Sequence, residues 1–208
     1  LKSTLIEKEI ISNINKTIAT SLDIRESFSD ICGELKKIIP FDRACLITSN
    51  EQGQWFQVFA LTKNYNFSEI NEGECFPISG SLLEEIIKTG EPVIVNNTQT
   101  GRFWTDRVLY KERIHARLGF PLTYKGKVLG ALTFGSEKAN SFSEQCYYYL
   151  WQLAPQLAIA LENTKLFNRI KASEERYKTL FNHAADSMVM IDLNGKILTV
   201  TQREEEII

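Results

Sequence analysis

The run ARLGFPLTYKGKVLGALTFGS, residues 116–136, decides the fold. Two apolar stretches, ARLGFPLTY and KVLGALTFGS, flank Lys125-Gly126, where glycine supplies the positive φ of a tight turn, so the run reads as a β-hairpin. Further upstream, FDRACLI (41–47) and WFQVFAL (55–61) surround SNEQGQ with its turn residue Gly53, a second hairpin. PVIVNN (92–97) adds another strand, giving at least five candidate strands in an antiparallel arrangement.

Helices bracket these strands. Leu5, Ile6, Ile10, Ile11, Ile14 and Ile18 recur at three- and four-residue steps over residues 3–19, the stripe of an amphipathic helix. A second helix starts at the capping-type residues Ser21–Asp23, carries Ile24, Phe28, Ile31, Cys32, Leu35 and Ile38, and stops before Pro40. SGSLLEEIIKTGEP (79–92) is a compact helix. Ser79 or Ser81 caps it, Leu82, Leu83, Ile86 and Ile87 form its apolar face, and Gly90 with Pro92 ends it. Residues 97–115, NTQTGRFWTDRVLYKERIH, lack a clean period and read as an irregular segment with one helical turn. Aromatic-bearing segments of this kind border binding sites, and are at least as often plainly packed loops.

With Ser141 as N-cap and Glu144 three residues on, a long helix is expected from Phe142 to about Ile170. Leu150, Leu153, Leu157, Ala160, Thr164 and Phe167 continue a heptad-like seam from Cys146, which then slips to Leu166, Ile170, Ser173, Tyr177 and Leu180. Packing on the sheet is an equal reading for the first half, and a second copy of the chain is the expected cover for the second. Pro155 forfeits the bond to the Trp151 carbonyl, so a local bend is expected there. Another helix is expected to start at residues 173–183. SMVMIDLNGKILTVT (187–201) then reads as two short strands about Asn194-Gly195, a type I′ turn signal.

Composition excludes several classes. The 208 residues are 43% hydrophobic and 24% charged, with a net charge of -2. There is no basic field for nucleic acid or an anionic membrane, so neither partner is expected. Cys32, Cys45, Cys75 and Cys146 are scattered without a CxxC pair, which argues against a zinc site or disulfide framework and for reduced thiols in a cytoplasmic protein. No apolar run approaches the roughly 20 residues of a membrane span. Opening on Leu1, the chain is expected to be part of a longer protein. Gly-rich phosphate loops, HExxH, GxSxG and clustered carboxylates are missing, so no catalytic residue or metal ligand is assigned. His115 reads as a strand-edge histidine and His183 as a solvated one.

The order of elements, with PFDRACLI, TGEPVIVNNTQT, GFPLTYKGKVLGALTFGS and LAPQLAIALENTKLF, resembles a bacterial GAF domain over residues 21–165. SEERYKTLFNHAADSMVMIDLNGKILTVTQREEEII is similar to the opening of a PAS domain, with Thr201 where that family often has Asn. The resemblance implies an α+β fold with an antiparallel sheet of five to six strands. Terminal helices cover one face, and loops and short helices cover a pocket on the other. It divides the chain into an N-terminal helix (1–20), the GAF-like domain (21–165), a helical linker or coiled coil (166–183) and a truncated PAS-like piece (184–208). That layout is similar to the sensory half of histidine kinases and cyclic-di-GMP enzymes.

The pocket wall is expected to include Phe59, Phe76, Ile78, Trp104, Leu109 and Phe120, with Cys75, Arg102 and His115 as polar anchors. Arg102 or Arg113 would meet a phosphate, and His115 would ligate a haem, but no cofactor can be named. Cys75 lies in GECFP, where some bilin-binding GAF domains carry Asp-x-Cys-Phe. Gly73 replaces that Asp, and neither histidine follows a cysteine. The spacing of the four cysteines does not resemble the set used by GAF-type free methionine sulfoxide reductases. Cys32, Cys45 and Cys146 read instead as buried small hydrophobes. The leading expectation is a sensory module, homodimeric through its N- and C-terminal helices, that binds a small molecule and relays the change to downstream domains. A ligand-free dimerisation or spacer domain is the second reading, and a thiol-dependent enzyme or bilin photoreceptor the third.

Overall fold

The structure, a computed structural model, describes residues 2–50, 52–62, 69–182 and 189–200. These form two units, 1–164 and 165–208.

In the first unit, helices α1 (Lys2–Thr20) and α2 (Ile24–Leu35) precede the hairpin of β1 (Arg43–Ser49) and β2 (Trp55–Leu61). Then come β3 (Cys75–Pro77), α3 (Leu82–Thr89), β4 (Val93–Val95), a 3₁₀ turn at Thr98–Thr100 and α4 (Trp104–Lys111). The hairpin of β5 (Ala116–Tyr124) and β6 (Lys127–Ser136) leads into α5 (Gln145–Asn182). The sheet has six strands in the order β3-β2-β1-β6-β5-β4, every pair antiparallel. This is the α+β architecture expected. Lys125 (φ 49°) and Gly126 (φ 77°) form the two-residue turn between β5 and β6.

Both sheet faces are covered, so β5 is buried along most of its length on either side. Leu118, Phe120 and Leu122 of β5, with Leu132 and Phe134 of β6, share one core with α1, α2 and the first part of α5. Cys45, Ile47, Phe56, Val58 and Ala131 share the second core with α3 and α4. Gly119 gives α3 room where it crosses: a Cβ there would lie 2.2 Å from Leu82 Cδ2 and force that side chain to move. Ser81 caps α3, with its side chain accepting from the Glu84 N–H, and Gly90 ends it at φ 72°. The helical layer is pinned at Thr164, whose buried Oγ1 accepts the Ile24 N–H at 3.1 Å and satisfies an unpaired donor of the first turn of α2.

Several expectations change. Residues 104–111 are two turns of helix, not one. The long helix starts at Gln145, because Ser141 donates instead to the Lys138 carbonyl and sits 3.0 Å from Ser136 Oγ. It runs unbroken to Asn182, with no second start at 173, and holds Pro155 within it. Of the seam, Cys146, Leu150, Leu153, Leu157 and Thr164 are buried in the chain's own core. Tyr148, Trp151 and Ile159 are the large exposed apolar residues of this part of α5.

The second unit holds the remainder of α5, where Leu166, Phe167, Ile170 and Tyr177 are exposed, and the antiparallel pair β7 (Val189–Ile191) and β8 (Ile197–Val200). Its turn is not type I′. Of Asn194-Gly195 only Gly195 has positive φ (83°), and Asp192 Oδ1 accepts the N–H groups of Asn194 and Lys196. His183, Thr201 and the rest of 183–188 and 201–208 in the PAS-like stretch lie outside the described residues. Among the described residues, no helix is long and apolar enough to cross a membrane.

Candidate functional site

Strand register places two arginines in one row. Arg43 pairs across β1–β6 with Gly135, and Gly135 pairs across β6–β5 with Arg117. The two therefore stand two strand spacings apart, roughly 10 Å, with no side chain between them. In the next row Cys45 pairs with Thr133, which pairs with Gly119. Small residues on β6 thus leave a depression in the sheet face opposite the terminal helices. A cavity occupies it, lined by both arginines and by Cys45, Ile47, Val58 and Leu109 among others. The space open to the centre of a water molecule there is about 50 Å³. That is several times the roughly 10–15 Å³ one water needs.

Helix α4 roofs the cavity, and α4 together with its C-cap residue Glu112 supplies the counter-charges. Asp106 and Glu112 lie six residues apart, about 9 Å along a helix, which matches the separation of the arginines. Arg117 Nη1 donates to Asp106 Oδ1 and to Thr105 Oγ1, both at 2.7 Å, and Asp106 Oδ2 accepts the Phe103 N–H at 3.0 Å. At the other end Arg43 pairs with Glu112 and donates through Nη2 to the Ile70 carbonyl, 2.8 Å away. Glu112 Oε1 also accepts the Glu69 N–H at 2.7 Å. Side-chain exposure is 0% for Asp106, 8% for Arg117, 6% for Arg43 and 5% for Glu112. Charges this deep persist only when paired and hydrogen-bonded. Burial pulls the Arg117 guanidinium below its ordinary range, and Asp106 opposes that pull.

Of the expected site residues, Leu109 lines the cavity and Ile78 belongs to the core around it. Phe76 and Trp104 cluster with Phe56, ring centroids 5.6–6.3 Å apart. Trp104 Nε1 is buried without a partner among the described residues. Cys75 is exposed on β3 at the sheet edge. Arg102 pairs on the surface with Glu85, and Arg113 is exposed at φ 64°. His115 sits edge-on to Tyr110 and stitches backbone, its N–H donating to the Ser136 carbonyl and its carbonyl accepting from Thr98.

Phe59 and Phe120 are not brought together with these residues; both face the helical layer. Phe120 packs edge-on against Trp151 at 4.9 Å, and Arg25 of α2 lies over the Phe59 ring. Phe59 points away from its cavity-lining neighbour Val58, as strand alternation requires, and a β-bulge between the Leu46–Ala60 and Ile47–Val58 pairs puts Ala60 on the same helical face. Sequence reading missed Arg43, Arg117, Asp106 and Glu112. The usable signal was an arginine inside an apolar strand, in DRACLI and ARLGF, which demands a buried counter-charge.

No thiol of the cavity is activated. Burial pushes Cys45 up to about 11 and raises Cys32 as well. Iodoacetamide at pH 7.5 is therefore expected to modify Cys75 alone in the native protein and all four cysteines after unfolding, as read by intact-mass spectrometry. Labelling of Cys45 in the native state would contradict its burial. Among the described residues no cluster of three or more His, Cys, Asp or Glu could hold a metal ion. A tetrapyrrole does not fit the cavity as it stands, since pockets for drug-sized ligands span roughly 300–1,000 Å³.

Solved structures with this fold include the GAF domain of an Acinetobacter phosphoenolpyruvate-protein phosphotransferase, at 20% identity and TM-score 0.64 over 78% of this chain and 97% of that one. The GAF domain of a two-component sensor histidine kinase from Bacillus halodurans matches at 19% identity and TM-score 0.62, over 71% and 99% respectively. Free methionine-R-sulfoxide reductase from Neisseria meningitidis, in complex with its substrate, matches at 16% identity and TM-score 0.62, over 77% and 90%. Comparison with curated proteins gives no match. The family profile for the GAF domain matches residues 21–162, about two-thirds of the sequence and nearly all of the first unit beyond α1. With that match resting on the same sheet and helices described above, the chain belongs to the GAF domain family.

Proposed function

We propose that this GAF domain is a cytosolic sensory module of a multidomain signalling protein, binding a small molecule in the cavity beneath α4 and relaying its occupancy through α5. The observation that carries the reading is the cavity itself. A core selected only for stability closes such space and commits its buried donors. Here space persists next to a buried guanidinium, under a helix tied down at both ends. A ligand shifts α4 only if it binds two arrangements of that helix with different affinity. The route onward is short, because Arg117 and Gly135 on the cavity face alternate along their strands with Leu118 and Phe134 in the core that holds α5. The substrate-bound Neisseria enzyme supports small-molecule binding by this fold, and the Bacillus kinase supports a signalling context.

Exposed apolar residues on α5, Tyr148, Trp151 and Ile159 in the first unit and Leu166, Phe167 and Ile170 in the second, support a homodimer. Downstream, the PAS-like stretch would receive the signal, with a kinase or cyclase output beyond it. Light scattering is expected to give a mass twice the 23.8 kDa of the chain; a monomer at high concentration contradicts the dimer. A thermal-shift screen of small metabolites tests the sensor, since a ligand at 100 times its Kd stabilises by ~2.7 kcal/mol. The small size of the cavity favours one other reading, a ligand-free spacer, for which the whole screen is flat.

A further inference from the structure

Resting on the cavity being a ligand site, we infer that it takes a small organic acid: the Nε–Nη2 edge of Arg117 receives the two carboxylate oxygens, and a short apolar tail fills the remaining space. Arg117 is almost fully buried and carries five N–H donors. Its hydrogen bonds among the described residues all leave from Nη1, to Thr105 and Asp106. The other buried charges around it are engaged on both of their terminal atoms: Asp106 through Oδ1 and Oδ2, Glu112 through Oε1 and Oε2, Arg43 through Nη1 and Nη2. Nε and Nη2 of Arg117 are the exception, and they belong to a side chain that lines the cavity.

The chemistry of the ligand follows from this edge and its surroundings. Nε–H and Nη2–H form a planar fork matched to two coplanar oxygens, which is the geometry of a carboxylate. Of the other polar side chains in the lining, Arg43 is committed to Glu112 and the Ile70 carbonyl and Thr133 donates to the Cys45 carbonyl, while Cys45, Ile47, Val58 and Leu109 are apolar, so beside Arg117 only the Thr105 hydroxyl is left for the extra oxygens of a phosphate. The volume suits an acid of propionate or isobutyrate size, room for about four water-sized groups. Asp106 already balances the charge of Arg117, so the incoming carboxylate must share that guanidinium with it. Carboxylate binding therefore works against the tie at the start of α4, which gives the ligand a differential effect on that helix.

Calorimetric titration of the full chain with sodium isobutyrate, isobutyramide and sodium phosphate tests this, with circular dichroism verifying the fold of each variant. Isobutyrate is expected to bind one to one, at least tenfold more tightly than isobutyramide or phosphate. Asp106→Asn, which removes the competing charge and keeps an acceptor for the Phe103 N–H, should bind isobutyrate at least tenfold more tightly than the unmodified protein, with isobutyramide unchanged. Arg117→Met combined with Asp106→Asn should lose at least tenfold. Cys45→Leu, which fills the cavity and leaves the ion pair in place, should lose binding as well, and it decides the matter if the other variants do not fold. Equal affinity for the amide, tighter phosphate, undiminished binding in the double variant or in Cys45→Leu, or no binding of isobutyrate overturns the carboxylate assignment. A neutral metabolite found in the screen above would leave the sensory reading standing, whereas a flat screen removes both.

Discussion

Alanine at Asp106 is expected to lower the free energy of unfolding by about 3–5 kcal/mol, because it strands a buried guanidinium without its counter-charge. Both carboxylate oxygens are used, one by Arg117 and one by the Phe103 N–H at the start of α4, so the substitution removes an ion pair and a helix cap together. Urea denaturation measures the loss. The direction of rescue is as informative as its size. Replacing both partners, as in Arg117→Met with Asp106→Asn, removes the unpaired charge and should recover most of the stability, as buried ion pairs exchanged for neutral groups of similar volume commonly do. Equal instability of the single and double variants would mean that packing of Asp106, not its charge, is what matters.

Gly130→Ala is expected to cost about 3 kcal/mol, the upper end of the usual range for overpacking. Its Cβ would lie 2.0 Å from the Ile47 carbonyl oxygen and 2.8 Å from Thr48 Cα. Those are backbone atoms of the neighbouring strand, so no side-chain rotation relieves the clash, and β1 must part from β6 at the Thr48–Gly130 pair. This pair lies in the centre of the sheet, where β1 and β6 are inner strands. The same measurement on Gly126→Ala gives the contrast: its φ of 77° strains any other residue, yet a Cβ there meets nothing within 4 Å. A smaller loss, of about 1 kcal/mol, is expected at that turn.

The β5–β6 hairpin was legible because its two stretches and its turn agree, with Lys125-Gly126 supplying both positive φ values. Helix α4 was not, since it lacks the Ser cap and Gly stop that mark the equally short α3, and its hold on the sheet is tertiary: Asp106 and Glu112 reach arginines on strands that only the register brings into one row. For the same reason Arg43 and Arg117 read as ordinary strand residues, whereas Arg102 and Arg113, the arginines of the irregular segment, lie on the surface. Phe59 reads as a pocket aromatic by residue type, but strand alternation puts it on the face opposite its cavity-lining neighbour Val58. The seam of α5 shows a different kind of limit. Leu150, Leu153 and Leu157 form one stripe whether they meet a sheet or a second helix, and their burial in the chain's own core is a fact of packing that spacing does not encode.

The claim that cavity occupancy reaches α5 is tested most directly by hydrogen exchange on the full chain, alone and at a calorimetrically verified saturating concentration of isobutyrate. Exchange is expected to slow at least threefold along α5 beyond Thr164, in residues 165–178. Saturation of the cavity with exchange in that stretch unchanged would contradict it.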